Sequence, residues 1–193
     1  MNDEDFKKIE RAWNVPGWMS YDELVYLSKV AEKSRSMAEI GSWRGRSARA
    51  IADNLPEGGF LFCVDTWADD SYGAVFPGDA PDLCQHPDWL WNEFARNVGD
   101  HLSSKVFRMR MPSVEAAAAL NGQGRKFDAI FIDAGHRYQD VIADIQAWRP
   151  LLADGGVLCG HDYVHYHADV IKAVGELVPR FRVVDTIWTT EGA

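Results

Sequence analysis

The sequence predicts an α/β fold, a doubly wound and mostly parallel sheet of about seven strands with helices on both faces and a helical extension at the N-terminus. Three observations predict it. From Met37 onward, short apolar runs alternate with stretches of helical periodicity, the pattern of successive βαβ units. Breakers such as Gly58-Gly59, Asn121-Gly122 and Gly155-Gly156 separate them. Four of the apolar runs also end on polar or glycine residues, at Glu39/Gly41, Asp65, Asp133 and His161/Asp162. Ligands of open α/β sheets sit beyond the carboxyl ends of the strands, so these four ends are expected to converge on one edge.

Residues 3–12 and 20–33 read as two helices separated by Asn14-Val15-Pro16-Gly17. In the second, Leu24, Val25, Leu27 and Val30 recur at helical spacing, and Ser20 with Glu23 makes a capping box. Their expected role is packing over the core. A strand at 37–41 leads to a helix at 46–54, ended by Pro56 and Gly58-Gly59, and then to a strand at 60–65. The segment 66–84, with Gly73, Pro77, Gly78 and Pro81, reads as a long loop before a helix at 85–99. A strand at 105–110, a helix at 113–120, a strand at 127–132 and a helix at 138–152 follow. A strand at 157–160, a helix at 167–178 and strands near 181–185 and 187–190 complete the chain. One domain is expected, with 1–35 as helical cover and 36–190 as core.

Composition narrows the partners. A net charge of −9 disfavours binding to a nucleic-acid backbone, and no apolar run reaches the length of a membrane helix. A small-molecule substrate is therefore expected, with no nucleic acid and no membrane; a homo-oligomer is left open. The N-terminus, Met1-Asn2-Asp3-Glu4-Asp5, is acidic, unlike the basic start of a signal peptide. Cys63, Cys84 and Cys159 form an odd, scattered set, which suggests free thiols and a cytoplasmic location.

The first strand end reads Met37-Ala38-Glu39-Ile40-Gly41-Ser42-Trp43-Arg44-Gly45-Arg46-Ser47, after which a helical pattern begins. Missing side chains at Gly41 and Gly45 are expected to let a ligand approach the backbone, facing the free N–H groups of the helix start. The next strand ends on Asp65, whose carboxylate can accept hydrogen bonds from both hydroxyls of a ribose. This is a nucleoside-binding βαβ unit without the G-x-G-x-x-G of dinucleotide sites. Its spacing, Glu39-x-Gly41-x-x-x-Gly45-x-Ser47, resembles the first motif of class I S-adenosylmethionine-dependent methyltransferases, with Trp43 where their commonest form has glycine. The later runs Ile132-Asp133-Ala134-Gly135-His136-Arg137-Tyr138 and Gly155-Gly156-Val157-Leu158-Cys159-Gly160-His161-Asp162-Tyr163 resemble the small macrocin- and catechol O-methyltransferase-like group of that class. The resemblance spans roughly residues 36–190.

The resemblance implies a Rossmann-like sheet whose last strand is antiparallel, and S-adenosylmethionine as cofactor. Glu39, Gly41 and the loop through Trp43 and Gly45 would hold its methionine end, with Ser42 and Ser47 as supporting donors. Asp65 would take the ribose, Thr66 and Trp67 would lie beside the nucleoside, and Ser113 would meet the adenine. Asp133 would stand between the methionyl group and the substrate. The implied reaction is O-methylation of a small-molecule or sugar hydroxyl.

Such a reaction needs alignment of the acceptor and removal of its proton. Two arrangements stay open. Asp133 and Asp162 could bind Mg²⁺ or another divalent metal that lowers the hydroxyl's pKa, although His161 beside Asp162 suits a transition metal better. Alternatively His136 or His161 acts as the base. The run His161 to His167 also invites a zinc reading, but no further cluster completes the ligand spacing, and His165 and His167 read as solvated or substrate-facing. Trp67, Tyr72, Phe76, Trp89 and Trp91 could line a closing loop or pack on the sheet. Arg44, Arg46 and Arg137 could pair with an acidic substrate group or with surface acids. The rival functions are an NAD(P)-linked oxidoreductase and a non-catalytic nucleoside-binding module.

Overall fold

The structure, a computed structural model, describes residues 2–68 and 88–192. Its elements run α1 (Asp3–Trp13), α2 (Tyr21–Glu32), β1 (Ser36–Ile40), α3 (Arg46–Asn54), β2 (Phe60–Asp65), α4 (Trp89–Val98) and β3 (Val106–Arg110). They continue α5 (Ser113–Gly122), β4 (Phe127–Ile132), α6 (Tyr138–Trp148), β5 (Leu152–Gly160), α7 (Ala168–Leu177), β6 (Arg182–Val184) and β7 (Ile187–Thr189). Seven strands form one sheet in the order β3-β2-β1-β4-β5-β7-β6. The first five pair in parallel, and β7 runs antiparallel to both β5 and β6. This is the expected doubly wound sheet with its antiparallel last strand.

Strand alternation divides the core into two layers. On β1, Met37 packs toward α1–α4 while Ala38 and Ile40 pack toward α5–α7; on β4, Ala129 and Phe131 take the first side and Ile130 and Ile132 the second. Every one of these side chains is buried, and each large one stabilises the fold by roughly 1.5–3 kcal/mol. The N-terminal helices join the first layer, α1 and α2 packing on each other and on α3. The capping box of Ser20 and Glu23 starts α2 as expected.

Two boundaries differ from the sequence reading. Helix α6 stops at Trp148 because Pro150 diverts the chain into a 3₁₀ turn at Arg149–Leu151. Strand β5 then begins at Leu152, and its glycines lie in an irregularity where pairing jumps from Phe127 opposite Leu152 to Ala129 opposite Val157. Most of the expected 66–84 loop, the start of the 85–99 helix, and with them Tyr72, Phe76 and Cys84, lie outside the described residues. Cys63 and Cys159 are buried free thiols.

Gly41 and Gly45 are required by the protein's own packing, a constraint the sequence reading did not include. Gly41 has φ +86°, and a Cβ there would lie 1.9 Å from the carbonyl oxygen of Asp133. Gly45, at φ +87°, caps α3 and would meet Phe94 and Val98 of α4 at 3.0 Å. In urea unfolding, Gly41→Ala is expected to cost about 2–4 kcal/mol, from the overpacked contact and the left-handed backbone together. A loss below about 0.5 kcal/mol would show that β1 and β4 can part without penalty.

Candidate active site

Three backbone hydrogen bonds extend the parallel ladder one residue past the strands. The N–H of Gly41 donates to Val64 (2.8 Å), that of Asp133 to Ile40 (2.7 Å) and that of His161 to Ile132 (3.0 Å). Gly41, Asp133 and His161 therefore stand in step along one edge, next to the point where strand order reverses between β1 and β4. A cavity of ≈ 690 Å³ opens there, lined by Gly41, Ser42, Trp43, Ser47, Asp65, Thr66, Ser113, Asp133, His136, His161 and Asp162 among others. Of the residues expected at the site, Glu39, Gly45 and Trp67 do not line it.

At one end of the cavity stands Asp65. Its Oδ2 accepts the N–H of Trp43 (2.8 Å) and its Oδ1 that of Trp67 (2.7 Å). Burial pushes the carboxyl up from its ordinary value while these N–H groups pull it back. The N–H groups of Ser42 and Thr66 also point at this carboxylate, whose oxygens remain acceptors at the edge of the cavity. Trp67, expected beside the nucleoside, is instead fully buried. Its indole N–H donates to the carbonyl of Trp43 (2.9 Å), and its ring packs on Trp91 and Phe94, both at 4.9 Å. It is a strut beneath the loop. The hydroxyl of Ser113 lies between Asp144, to which it donates, and the indole N–H of Trp148, which it accepts at 2.8 Å. That hydroxyl is already engaged within the protein.

Glu39 is fully buried in β1, and neither of its carboxyl oxygens, nor Oγ of Ser42, has a hydrogen bond of normal geometry among the described residues. Burial pushes Glu39 up to about 7, with Ser42 and Ser47 close enough to pull it partly back.

At the other end is a cluster of acids and imidazoles. Partly buried His161 has Nε2 3.1 Å from Oε1 of Glu23, and Nδ1 3.3 Å from Oδ2 of Asp162 and 3.6 Å from Oδ1 of Asp133. Burial alone would lower its pKa, but the three carboxylates, Asp133 first, outweigh burial and hold it well above the ordinary range. Glu23 is held at about 2 against its own burial, chiefly by His161 and then by the hydroxyl of Thr186. An imidazole held toward its protonated form by three carboxylates is a poorer proton acceptor than one beside a single carboxylate. His136 differs. Its Nε2 lies 2.8 Å from Oδ2 of Asp162, the contact that raises its pKa, and it opens to the cavity.

Two neighbours escaped the sequence reading. Glu23, read only as a cap, accepts Ser20 N–H through Oε2 (2.8 Å) and also reaches the cavity. Trp18 stacks on Trp43 with ring centroids 4.4 Å apart and is 61% exposed. No sequence period marks either. The arginines have structural partners: Arg44 is buried between the rings of Trp43 and Trp89, and Arg46 donates to the carbonyl of Val15 (2.6 Å).

Residues 38–163 match the profile of a methyltransferase domain. The chain belongs to that family. Its fold is shared with the Bacillus cereus O-methyltransferase solved in complex with SAH: TM-score 0.64, 17% identity, 98% of this chain and 91% of that one. It is shared equally with the O-methyltransferase TomG of Streptomyces achromogenes, in complex with SAM: TM-score 0.62, 19% identity, 98% and 89% covered. A curated relative, the uncharacterized protein y4gI of Sinorhizobium fredii, is 24% identical over 135 residues; these are 68% of this methyltransferase-family chain but only 13% of that protein. Among the described residues, no helix is long and apolar enough to cross a membrane.

The raised Glu39 gives a test by pH. Its folded pKa, about 7, lies above the ordinary glutamate value of 4.5, so the native state binds the extra proton. Stability from this group is complete below about pH 4.5 and is lost as pH rises through about 7, by roughly 3 kcal/mol. Between about pH 5 and pH 8, Glu39→Gln is expected to gain on the wild type by that order in denaturant unfolding. A pH-independent difference would show that Glu39 does not titrate there.

Proposed function

We propose that the chain is an S-adenosylmethionine-dependent methyltransferase acting on a hydroxyl of a small molecule or sugar, with His136 as base and Asp162 orienting it. The observation that supports this best is one cavity with Asp65 and the Gly41–Ser47 loop at one end and the His136–Asp162 pair at the other. The residues fit the cofactor: Asp65 offers acceptor oxygens for a ribose, and the buried oxygens of Glu39 and Ser42, which make no hydrogen bond of normal geometry among the described residues, lie beside the glycine loop, a state that calls for a polar ligand. The complexes of the Bacillus and Streptomyces proteins, named as holding SAH and SAM, agree with this reading.

When bound, the cofactor supplies an electrophilic methyl group on a sulfonium. The chain supplies alignment and proton removal. With Nε2–H of His136 directed at Asp162, Nδ1 is the atom left to accept the hydroxyl proton, and Asp162 fixes the ring and its tautomer. The ring of His161, held toward its protonated form by the surrounding carboxylates, stands against Asp133 and Asp162 and offsets their charge. The histidine base is favoured over Mg²⁺ held by Asp133 and Asp162, because Mg²⁺ prefers an octahedron of oxygens and the ring of His161 stands against both carboxylates. The oxidoreductase alternative loses its footing in the family match and in the absent dinucleotide motif.

Calorimetry with S-adenosylhomocysteine tests the cofactor half. The wild type is expected to bind, and Asp65→Ala to weaken binding about 10–100-fold through the loss of charge-assisted hydrogen bonds. No binding by the wild type would remove the reading. For the acceptor half, His136→Gln is expected to lower kcat about 10²–10⁴-fold in an acceptor screen while S-adenosylhomocysteine affinity stays within about twofold. An unchanged kcat would exclude His136 as base, and a screen blank for every hydroxyl acceptor would favour the non-catalytic module.

A further inference from the structure

Asp162 and His167, from the connection between β5 and α7, meet a third donor, His136, from the connection between β4 and α6. Nε2 of His136 lies 2.8 Å from Oδ2 of Asp162, and Nε2 of His167 lies 3.6 Å from Oδ1 of the same carboxylate. The two imidazole rings touch, with centroids 4.5 Å apart. One donor atom from each of the three residues falls within 4.8 Å of the others. Donors around a tetrahedral ion with bonds of about 2.0–2.2 Å stand about 3.3–3.6 Å apart, so this triad closes on an ion with small side-chain shifts. We infer that His136, Asp162 and His167 form a binding site for a first-row transition-metal dication such as Zn²⁺.

The donor chemistry sets the class of ion. Two imidazoles and one carboxylate suit zinc, cobalt, nickel or iron, whereas Mg²⁺ and Ca²⁺ take oxygen. The neighbouring group of Asp133, His161 and Asp162 is equally compact, but both nitrogens of its imidazole already face carboxylates, Nε2 that of Glu23 and Nδ1 those of Asp133 and Asp162. The backbone prepares the site. His167 caps the start of α7, and its own N–H is fixed to the carbonyl of Val164 (2.8 Å). Asp162 sits at φ +61°, an unusual conformation for a non-glycine residue, which carries its carboxylate between the two rings. Access is open on two sides, since His136 and His167 line both the main cavity and a second one of ≈ 620 Å³. Three protein ligands with a free fourth position describe an exchangeable site rather than a closed structural one.

The site has a consequence for the chemistry, and this part alone rests on His136 being the base. An ion on Nε2 displaces the proton shared with Asp162, and the neutral ring then carries its one proton on Nδ1. That nitrogen can no longer accept the hydroxyl proton. Occupancy by the ion and methyl transfer through His136 exclude each other, so zinc acts as an inhibitor.

The test uses untagged full-length protein stripped with EDTA, titrated with Zn²⁺ by calorimetry and with Co²⁺ by its visible d–d absorption. One ion per chain is expected, with His136→Ala and His167→Ala each weakening binding about tenfold or more. His165→Ala, an exposed neighbour on the same loop, is expected to leave the affinity unchanged, and excess Mg²⁺ is expected not to compete. Binding of S-adenosylhomocysteine by each variant reports that it is folded. Absence of Zn²⁺ and Co²⁺ binding, or affinity retained in both His136→Ala and His167→Ala, overturns the site. Binding lost in those variants while zinc leaves wild-type turnover untouched supports the site and rejects His136 as base, so the two readings fail separately.

Discussion

The contact on which the site depends is the close approach of Gly41 to the backbone of Asp133. The N–H of Asp133 reaches the carbonyl of Ile40 at 2.7 Å, and any Cβ on residue 41 would lie within 1.9 Å of the Asp133 oxygen. With no side chain between them, β1 and β4 stay paired to their last residues. The chain then leaves β1 toward α3 and leaves β4 toward α6, on opposite faces of the sheet. A cleft at that divergence follows from topology. Its chemistry follows from what each strand end carries into it.

Charge balance explains why the cleft can be so acidic. Glu23, Asp133 and Asp162 converge on one imidazole, and buried carboxylates are tolerable only when paired and hydrogen-bonded. His161 provides that pairing, and the N–H and hydroxyl of Thr186 complete the shell of Glu23. Glu23 lies outside the family match at 38–163, on a helix that otherwise serves as packing. The N-terminal cover is thus tied electrostatically to the reactive edge. Beneath the glycine loop, Glu39 has no cationic partner among the described residues, and burial holds its carboxyl toward the protonated form.

Much of this was legible in the sequence because strand alternation and strand-end residues are local signals. Glu39, Asp65, Asp133 and His161 were readable as strand ends, and the sheet, including its antiparallel last strand, follows the expected pattern. What was not legible arises from contacts between distant segments. Trp67 stands two residues after Asp65, but the space beneath the loop, shaped by Trp91 and Phe94, draws it into the core. Ser113 begins α5 as expected, yet Asp144 and Trp148 claim its hydroxyl from another helix. The capping role of Glu23 hid its second one, since a carboxylate has two oxygens and sequence spacing accounts for only one. The grouping of His136 with His167 joins two loops that no periodicity connects.

The measurement that bears most directly on the shared cleft is a crystal structure of the chain with S-adenosylhomocysteine. Ribose hydroxyls on the Asp65 carboxylate, with the sulfur turned toward Asp133 and His136, are the expected result. A nucleoside seated away from Asp65, or a sulfur facing away from the His136–Asp162 pair, would contradict it.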